Sequence, residues 1–119
     1  MKNLTQEEVM EMIDSFPLVP RKDFVYITMN KSSEEDEESI LEEQYVQEEQ
    51  FVVAVGDRVK DIEPGMKVLL DPEKMTRYVS DPNDSTVKIP TINAIPFELE
   101  DDVVVARISE NIIHSIDLR

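Results

Sequence analysis

The first apolar positions of the chain recur at the spacing of one helix face. The pattern i, i+3, i+4, i+7 is occupied by Val9, Met12, Ile13 and Phe16. Ahead of this run, Thr5 and Glu8 have the spacing of a capping box, in which each side chain satisfies a free backbone amide at the helix start. Pro17 ends the pattern because it has no amide donor. The sequence therefore predicts a helix within residues 3–16.

The rest of the chain has the pattern of short β-strands. Runs rich in β-branched, aromatic and aliphatic residues predict strands at residues 23–29, 51–55, 67–71, 102–108 and 112–116. The run 51–55, FVVAV, is apolar at every position, which predicts burial on both of its faces. Just before the third run, Pro64 and Gly65 suit the two central positions of a type II turn.

Prolines divide residues 72–100 into short pieces, of which 77–79, 86–89 and 94–97 are strand-like. We expect hairpins and irregular crossings in this region. Ser109 is placed to cap one helical turn before the last strand. Short strands with turn signals at intervals of about ten residues are typical of a small antiparallel barrel or sandwich. The predicted fold class is therefore mainly all-β, in one domain.

One segment departs from this pattern. Residues 31–50, KSSEEDEESILEEQYVQEEQ, contain nine Asp or Glu residues and a single base, Lys31. Such an acidic run does not bury enough apolar surface to offset the entropy lost on ordering, so we predict a mobile segment that joins two strands. A small apolar cluster lies among these acids and consists of Ile40, Leu41, Tyr45 and Val46.

Length and charge limit the classes of function. A chain of 119 residues fits one domain. Its net charge of −15 argues against general binding to nucleic acid or to anionic membranes, because both need a basic face. Every apolar run is shorter than the roughly 20 residues of a membrane-spanning helix. The polar start of the chain also lacks the apolar core of a secretion signal. We expect a cytoplasmic protein with protein partners.

The motifs in the sequence do not predict an enzyme. Ser109, Glu110 and His114 lie within six residues of one another, whereas the members of a catalytic triad normally converge from separate parts of a fold. Residues 81–85, DPNDS, lack the spaced acids and the closing glutamate of a calcium loop and fit a polar turn better. The two glycines of the chain do not suffice for a phosphate-binding loop. We expect no catalytic residues, no metal and no cofactor.

The order of the motifs resembles that of the GroES-like co-chaperonins. Pro17 and Leu18 precede the strand FVYITM, a long loop with a short aliphatic motif follows, and then come FVVAVG and EPGMKVLL. The closing motif, SENIIHSI, is similar to the S-E-x-D-I-L-A-I of the family. The resemblance implies an irregular β-barrel over residues 17–119, preceded by a helical extension over residues 1–16.

The resemblance also implies partners. Members of the family form seven-membered rings that cap a large, GroEL-type chaperonin, and the terminal strand of each subunit pairs with the next subunit. On this likeness, the interface between subunits would include Val25, Ile112, Ile113 and Ile116. The long loop of the family carries an I-V-L tripeptide that docks on the chaperonin. Ile40 and Leu41 occupy the corresponding place, with Tyr45 and Val46 as accessory contacts.

The sequence departs from the family in three ways. The paired glycines before the tripeptide are replaced by EES at 37–39, the roof hairpin expected between Gly56 and Pro64 is missing, and the N-terminal helix and residues 72–100 are additions. Such divergence is similar to that of co-chaperonins encoded by tailed bacteriophages, which can lack the roof. If the chain is of this kind, it acts in the host cytoplasm.

Two further hypotheses stand beside the co-chaperonin. One is a structural or decoration protein of a virus particle, located in the virion, that keeps the barrel and grips a basic assembly surface with its helix and acidic loop. The other is a simple acidic β-domain with an unspecified binding role. The symmetry of any assembly would separate the first two, because a free seven-fold ring favours the co-chaperonin.

Overall fold

The computed structural model describes residues 3–31, 47–100 and 102–118. In these ranges the chain is mainly β, with a short N-terminal helix and a small β-barrel-like fold, which confirms the predicted fold class. The helices are α1, Gln6–Met12, and α2, Pro72–Met75, with 3-10 turns at Ile13–Ser15 and Glu110–Ile112. The strands are β1, Phe24–Thr28; β2, Glu49–Val55; β3, Lys67–Leu70; β4, Thr76–Asp81; β5, Asp84–Ile92; β6, Ile95–Glu98; β7, Val104–Ser109; and β8, Ile113–Asp117.

Helix α1 begins as the sequence predicted. The Thr5 hydroxyl accepts a hydrogen bond from the Glu8 backbone amide at 3.2 Å, and the Glu8 carboxylate accepts one from the Thr5 amide at 2.9 Å. These two bonds satisfy amides that have no partner within the helix. The apolar face of α1 packs on the sheet, where Val9 is fully buried. The helix and the sheet therefore share a core.

Six strands form one antiparallel sheet in the order β6-β7-β1-β2-β3-β8. The central strand β1 pairs with β7 on one side and with β2 on the other, so the acidic segment connects two neighbouring strands. The strands β6 and β8 lie at the two edges of the sheet. The remaining strands, β4 and β5, pair with each other and form a separate two-stranded ribbon.

Apolar clusters lie on both sides of this sheet. The larger cluster consists of Val25, Ile27, Val52, Ile62, Val68, Leu70, Met75, Ile108 and Ile112. The smaller cluster consists of Leu4, Val9, Val53 and Val105, with the apolar face of α1 packed against it. Strand β2 contributes to both clusters because successive side chains of a strand point to opposite faces. This confirms the burial that the FVVAV run predicted.

Both glycines occupy positions that other residues would strain. Gly65 has a φ of +93° in the predicted turn, which is closed by a hydrogen bond from the Met66 amide to the Glu63 carbonyl at 3.2 Å. Gly56 follows β2, where a Cβ atom would lie 2.2 Å from the carbonyl oxygen of Lys22. The absence of that Cβ lets the chain pass close to the residues before β1. The structure describes every residue from Gly56 to Met66, and this range contains no strand.

The region after β3 is more regular than the sequence predicted. The pieces at 77–79 and 86–89 belong to strands of six and nine residues, because cross-strand pairing extends each strand beyond its apolar part. The short helix α2 was not predicted, although Asp71 caps it by accepting a hydrogen bond from the Glu73 amide at 3.0 Å. The expected side-chain cap at Ser109 was wrong: the 3-10 turn is present, but Ser109 makes no capping hydrogen bond through its side chain.

Candidate functional site

The two ends of the acidic segment are held together by hydrogen bonds. The Gln47 backbone amide donates to the Asn30 carbonyl at 3.0 Å. The Gln47 side chain donates through Nε2 to the Lys31 carbonyl at 2.8 Å. Lys31 and Gln47, the described residues on either side of positions 32–46, therefore lie next to each other.

A buried glutamine adds further hydrogen bonds between the two ends of the acidic segment. Gln50 is 0% exposed, and its Oε1 accepts from the Thr28 hydroxyl at 2.7 Å and from the Asn30 amide at 2.8 Å. Its Nε2 donates to the carbonyls of Asn30 and Gln47, both at 2.9 Å. Two donors and two acceptors are the full hydrogen-bonding capacity of a carboxamide. Gln50 therefore acts as a four-way connector between the end of β1 and the start of β2.

Two asparagines tie the N-terminal residues to the same place. Asn30 accepts from the Leu4 amide and donates to the Leu4 carbonyl, each at 2.8 Å. Asn3 accepts from the Lys31 amide at 2.9 Å and donates to the Lys31 carbonyl at 2.7 Å. Each carboxamide thus pairs with both the backbone N–H and the backbone C=O of one residue, as a residue of a neighbouring strand would. We call Asn3, Asn30, Gln47 and Gln50 the carboxamide cluster.

The carboxamide cluster gives the acidic segment a fixed and neutral point of attachment. Neutral hydrogen bonds contribute about 0.5 to 1.5 kcal/mol each, whereas leaving a buried partner unsatisfied costs about 1 to 3 kcal/mol. Because none of its four side chains titrates or carries charge, we expect the cluster to hold over a wide range of pH and salt. The site is thus suited to presenting a segment to a partner while the strands beneath it stay paired.

The predicted partner-binding residues, Ile40, Leu41, Tyr45 and Val46, lie outside the described residues. The structure describes where their segment starts and ends, at Lys31 and Gln47, and their role stays a prediction.

The predicted interface residues have two kinds of environment. Val25 and Ile112 belong to the larger apolar cluster and are only 0% and 2% exposed, so their side chains pack within their own chain, and their part in an interface stays a prediction. Ile113 and Ile116 are half-buried on β8 and pack against the same cluster. Among the described residues β8 is an edge strand that pairs only with β3, and an interface on its outer side stays a prediction.

A second concave surface lies between α1 and the turn from β6 to β7. It is an open groove of about 770 Å³, and its apolar residues are Met12, Phe16, Pro17, Phe97, Leu99 and Val103. Two acids, Glu98 and Glu100, also line it. An apolar floor with acidic neighbours is suited to a partner segment that carries both apolar and basic side chains. The sequence did not predict this groove, since the residues from α1 and β6 meet only in the fold.

The groups considered for catalysis and metal binding have local roles. His114 is exposed on β8, and its Nδ1 lies 2.8 Å from the hydroxyl of the adjacent Ser115. The polar turn predicted at residues 81–85 is confirmed, because Asp81 accepts from the Asn83 amide at 2.8 Å. The Thr86 hydroxyl and amide donate to Asp84 and lower the pKa of its carboxyl. The described part of the chain contains no cluster of His, Cys, Asp or Glu that could hold a metal ion.

No family model, curated protein or solved structure matches this chain. None of the helices in the described ranges is long and apolar enough to cross a membrane.

Sequence reasoning missed the carboxamide cluster. Its members are separated by up to 47 positions, from Asn3 to Gln50, and polar residues beside an acidic run look like ordinary surface. One signal was present: Asn30 directly follows the first strand pattern, and Gln50 directly precedes FVVAV. Carboxamides at the ends of two strands that border a long insertion are candidates for bridging those ends.

Proposed function

We propose that the chain is a non-enzymatic co-chaperonin of the GroES-like kind, a ring subunit that caps a large ATP-driven, GroEL-type chaperonin and encloses a folding client. Ile40 and Leu41 are the anchor that docks on the chaperonin, with Tyr45 and Val46 as accessory contacts. The acids around this anchor keep it soluble before it docks.

The observation that carries the proposal is the attachment of the acidic segment. Its ends lie side by side at the carboxamide cluster, between two paired antiparallel strands. A partner that binds the segment would therefore pull on the hydrogen bonds of the carboxamide cluster and not on the backbone hydrogen bonds between β1 and β2. The anchor can dock without disturbing the fold that assembles the subunits.

The binding strength of such a device comes from valency. Each docking event must offset the entropy lost when a segment becomes ordered, so a single site is weak. Several identical sites on one ring act through effective concentration, and the overall affinity then exceeds that of one site by about 100- to 10,000-fold. Each contact remains reversible by itself. A cap that must leave the chaperonin needs this reversibility.

The test replaces both aliphatic residues of the anchor, Ile40→Ser and Leu41→Ser, and measures binding to a nucleotide-loaded GroEL-type chaperonin by surface plasmon resonance. We expect affinity to fall at least about 100-fold, because every site of the ring is weakened at once. The matched control is Val19→Ser, which removes an aliphatic side chain that is 85% exposed outside the segment and should leave binding unchanged. Equal binding by the anchor variant and the wild type would contradict the proposal.

The groove beside α1 favours a second candidate, the structural or decoration protein of a virus particle. Its apolar floor and the acids Glu98 and Glu100 suit a basic assembly surface, which is the kind of partner this hypothesis requires. Electron microscopy separates the two candidates. A free seven-fold ring supports the co-chaperonin, whereas monomers or trimers fixed on a capsid, and released by Glu98→Lys with Glu100→Lys, support the virion protein.

A further inference from the structure

The groove beside α1 rests on the core of the protein. Four of its apolar residues, Met12, Phe16, Leu99 and Val103, are half-buried and pack against the smaller apolar cluster. The Phe16 ring is also held from one side, because its centre lies 5.2 Å from that of the Tyr26 ring in an edge-to-face arrangement. The core therefore fixes the floor of the groove, and a partner does not have to order it on binding.

The same groove exposes apolar surface to solvent. Phe97 is 37% exposed on β6, and Met12 lines the groove from α1. Aromatic side chains are enriched at protein interfaces, and the flexible side chain of methionine adapts to different partners. Exposed apolar surface with charged residues around it is typical of a site that binds another protein.

The charges around the groove favour a basic partner. Glu98 and Glu100 are exposed at the groove, and the described residues that line it include no Lys, Arg or His. The whole chain carries a net charge of −15, so its field attracts a basic partner and repels a second copy of the same chain. Both observations favour a segment of a different protein, with apolar and basic side chains, as the occupant.

The free edge of β6 argues against an occupant that binds as an extra strand. The Leu99 amide donates to the Val103 carbonyl at 2.7 Å, towards the β7 side. Alternate residues of an antiparallel strand bond to the same neighbour, so Pro96 and Glu98 face the free edge. Proline has no amide, so Glu98 is the one residue of β6 that offers a backbone donor there. A partner helix satisfies its own backbone and needs only side-chain contacts.

We propose that the groove beside α1 binds an amphipathic helix of a partner protein, which has an apolar face bordered by basic side chains. The apolar face lies on Met12, Phe16 and Phe97, and the basic side chains pair with Glu98 and Glu100. The site does not rest on the proposed chaperonin docking, because it uses no residue of the acidic segment. It also differs from a flat basic surface, which would contact the two acids without filling the groove.

The test uses the full chain and a synthetic peptide of about 18 residues, which is about five helical turns. Leucine and one tryptophan form one face of the peptide helix, and alanine and lysine form the other. Since the chain has no tryptophan, the fluorescence of the peptide reports its own burial. We expect saturable binding at about 0.15 M salt, with a shift of the tryptophan emission to shorter wavelength and a gain in peptide helicity by circular dichroism.

Two peptides of the same composition separate shape from charge. In one, the residues are reordered so that a helix has no apolar face, and in the other, apolar and basic residues alternate as in a strand. Each should bind at least about tenfold more weakly than the helical peptide. Equal binding of the reordered peptide would show that charge alone attracts the peptides and would overturn the proposal. Equal binding of the alternating peptide would overturn the choice of a helix.

Variants of the chain locate the binding site. Phe97→Ser should weaken binding of the helical peptide at least about tenfold, because it removes an aromatic contact from the groove. The control is Tyr78→Ser, which removes an aromatic ring that is 66% exposed on the ribbon and should leave binding unchanged. Equal weakening by the two variants would overturn the proposal. A dimer of the chain in sedimentation, dissociated by Phe97→Ser, would also overturn it, since a second copy would then fill the groove.

A second pair of variants tests the acids. Glu98→Gln with Glu100→Gln should weaken binding about fivefold, as expected for the loss of two exposed ion pairs. Asp61→Asn with Glu63→Gln removes the same charge from two exposed residues outside the lining of the groove and should leave binding unchanged. Equal affinities for the two double variants would show that the net charge alone attracts the helix and would overturn the role of the two groove acids.

Discussion

Replacement of Gln50 by leucine tests whether the carboxamide cluster stabilises the fold. Leucine has a similar volume but no polar atoms, so Gln50→Leu removes all four hydrogen bonds of this side chain while leaving the space filled. Two donors, the Asn30 amide and the Thr28 hydroxyl, lose the acceptor that the structure gives them. The change therefore separates the loss of hydrogen bonds from the formation of a cavity.

The expected cost follows from these two donors. A buried polar group left unsatisfied costs about 1 to 3 kcal/mol, so two of them cost about 2 to 6 kcal/mol. Burial of a leucine in place of an amide returns about 1 kcal/mol of this. We expect the free energy of unfolding to fall by about 3 kcal/mol. With a urea dependence of about 1.5 kcal/mol per molar, the unfolding midpoint should fall by about 2 M.

The assay is urea unfolding followed by far-ultraviolet circular dichroism, since the chain has no tryptophan. The matched control is Gln6→Leu, which removes one exposed glutamine whose Nε2 donates to the Gly65 carbonyl at 2.9 Å. That single, partly solvated bond is worth about 1 kcal/mol. If Gln50→Leu lowers the midpoint no more than Gln6→Leu does, the cluster is not a stabilising element and the reasoning fails.

Three further predictions concern turns and caps. Gly56→Ala places a Cβ atom 2.2 Å from the Lys22 carbonyl oxygen, so the backbone must move. We expect the free energy of unfolding, measured with urea, to fall by about 3 kcal/mol. A decrease below about 1 kcal/mol would show that the turn adapts easily and would contradict this. Thr5→Ala should lower the unfolding free energy by about 1 kcal/mol, and Thr5→Ser, which keeps the hydroxyl, should restore it. The Lys22 amide donates to the Asp57 carboxylate and lowers its pKa. The stabilisation from this carboxylate is therefore complete above the pKa of the unfolded chain and is lost as the pH falls through the lower pKa of the folded chain. Asp57→Asn should make the melting temperature less sensitive to acid, and an identical acid dependence would contradict this.

The sequence was a good guide wherever the determining residues are close together. The capping box of Thr5 and Glu8 placed the helix start, and the unbroken FVVAV run predicted a strand buried on both sides. The Pro64–Gly65 pair likewise predicted its turn, because one proline and one glycine are enough to specify the backbone angles. In each case the signal is carried within about four residues, which is the range over which backbone preferences act.

The features that the sequence did not predict depend on residues that only the fold brings together. The carboxamide cluster joins Asn3 to Lys31 and Asn30 to Gln50, and the groove beside α1 brings Met12 to Phe97. Periodicity reports which face a side chain occupies and carries no information on which distant partner it meets. The sequence did not predict the burial of Val25 and Ile112 in the larger apolar cluster for the same reason, since an apolar residue can face its own core or another chain.

The carboxamide cluster also makes the region between Lys31 and Gln47 a natural graft point. Four hydrogen bonds join Asn30 and Lys31, before positions 32–46, to Gln47 and Gln50, after them, and none of these bonds requires a particular sequence at those positions. The entropic cost of closing a loop rises slowly with its length, by about 0.6 kcal/mol for each doubling. The fold should therefore tolerate inserts of other lengths and compositions at these positions. The sequence at positions 32–46 can therefore be exchanged, in evolution or by protein engineering, without a redesign of the sheet on either side of it.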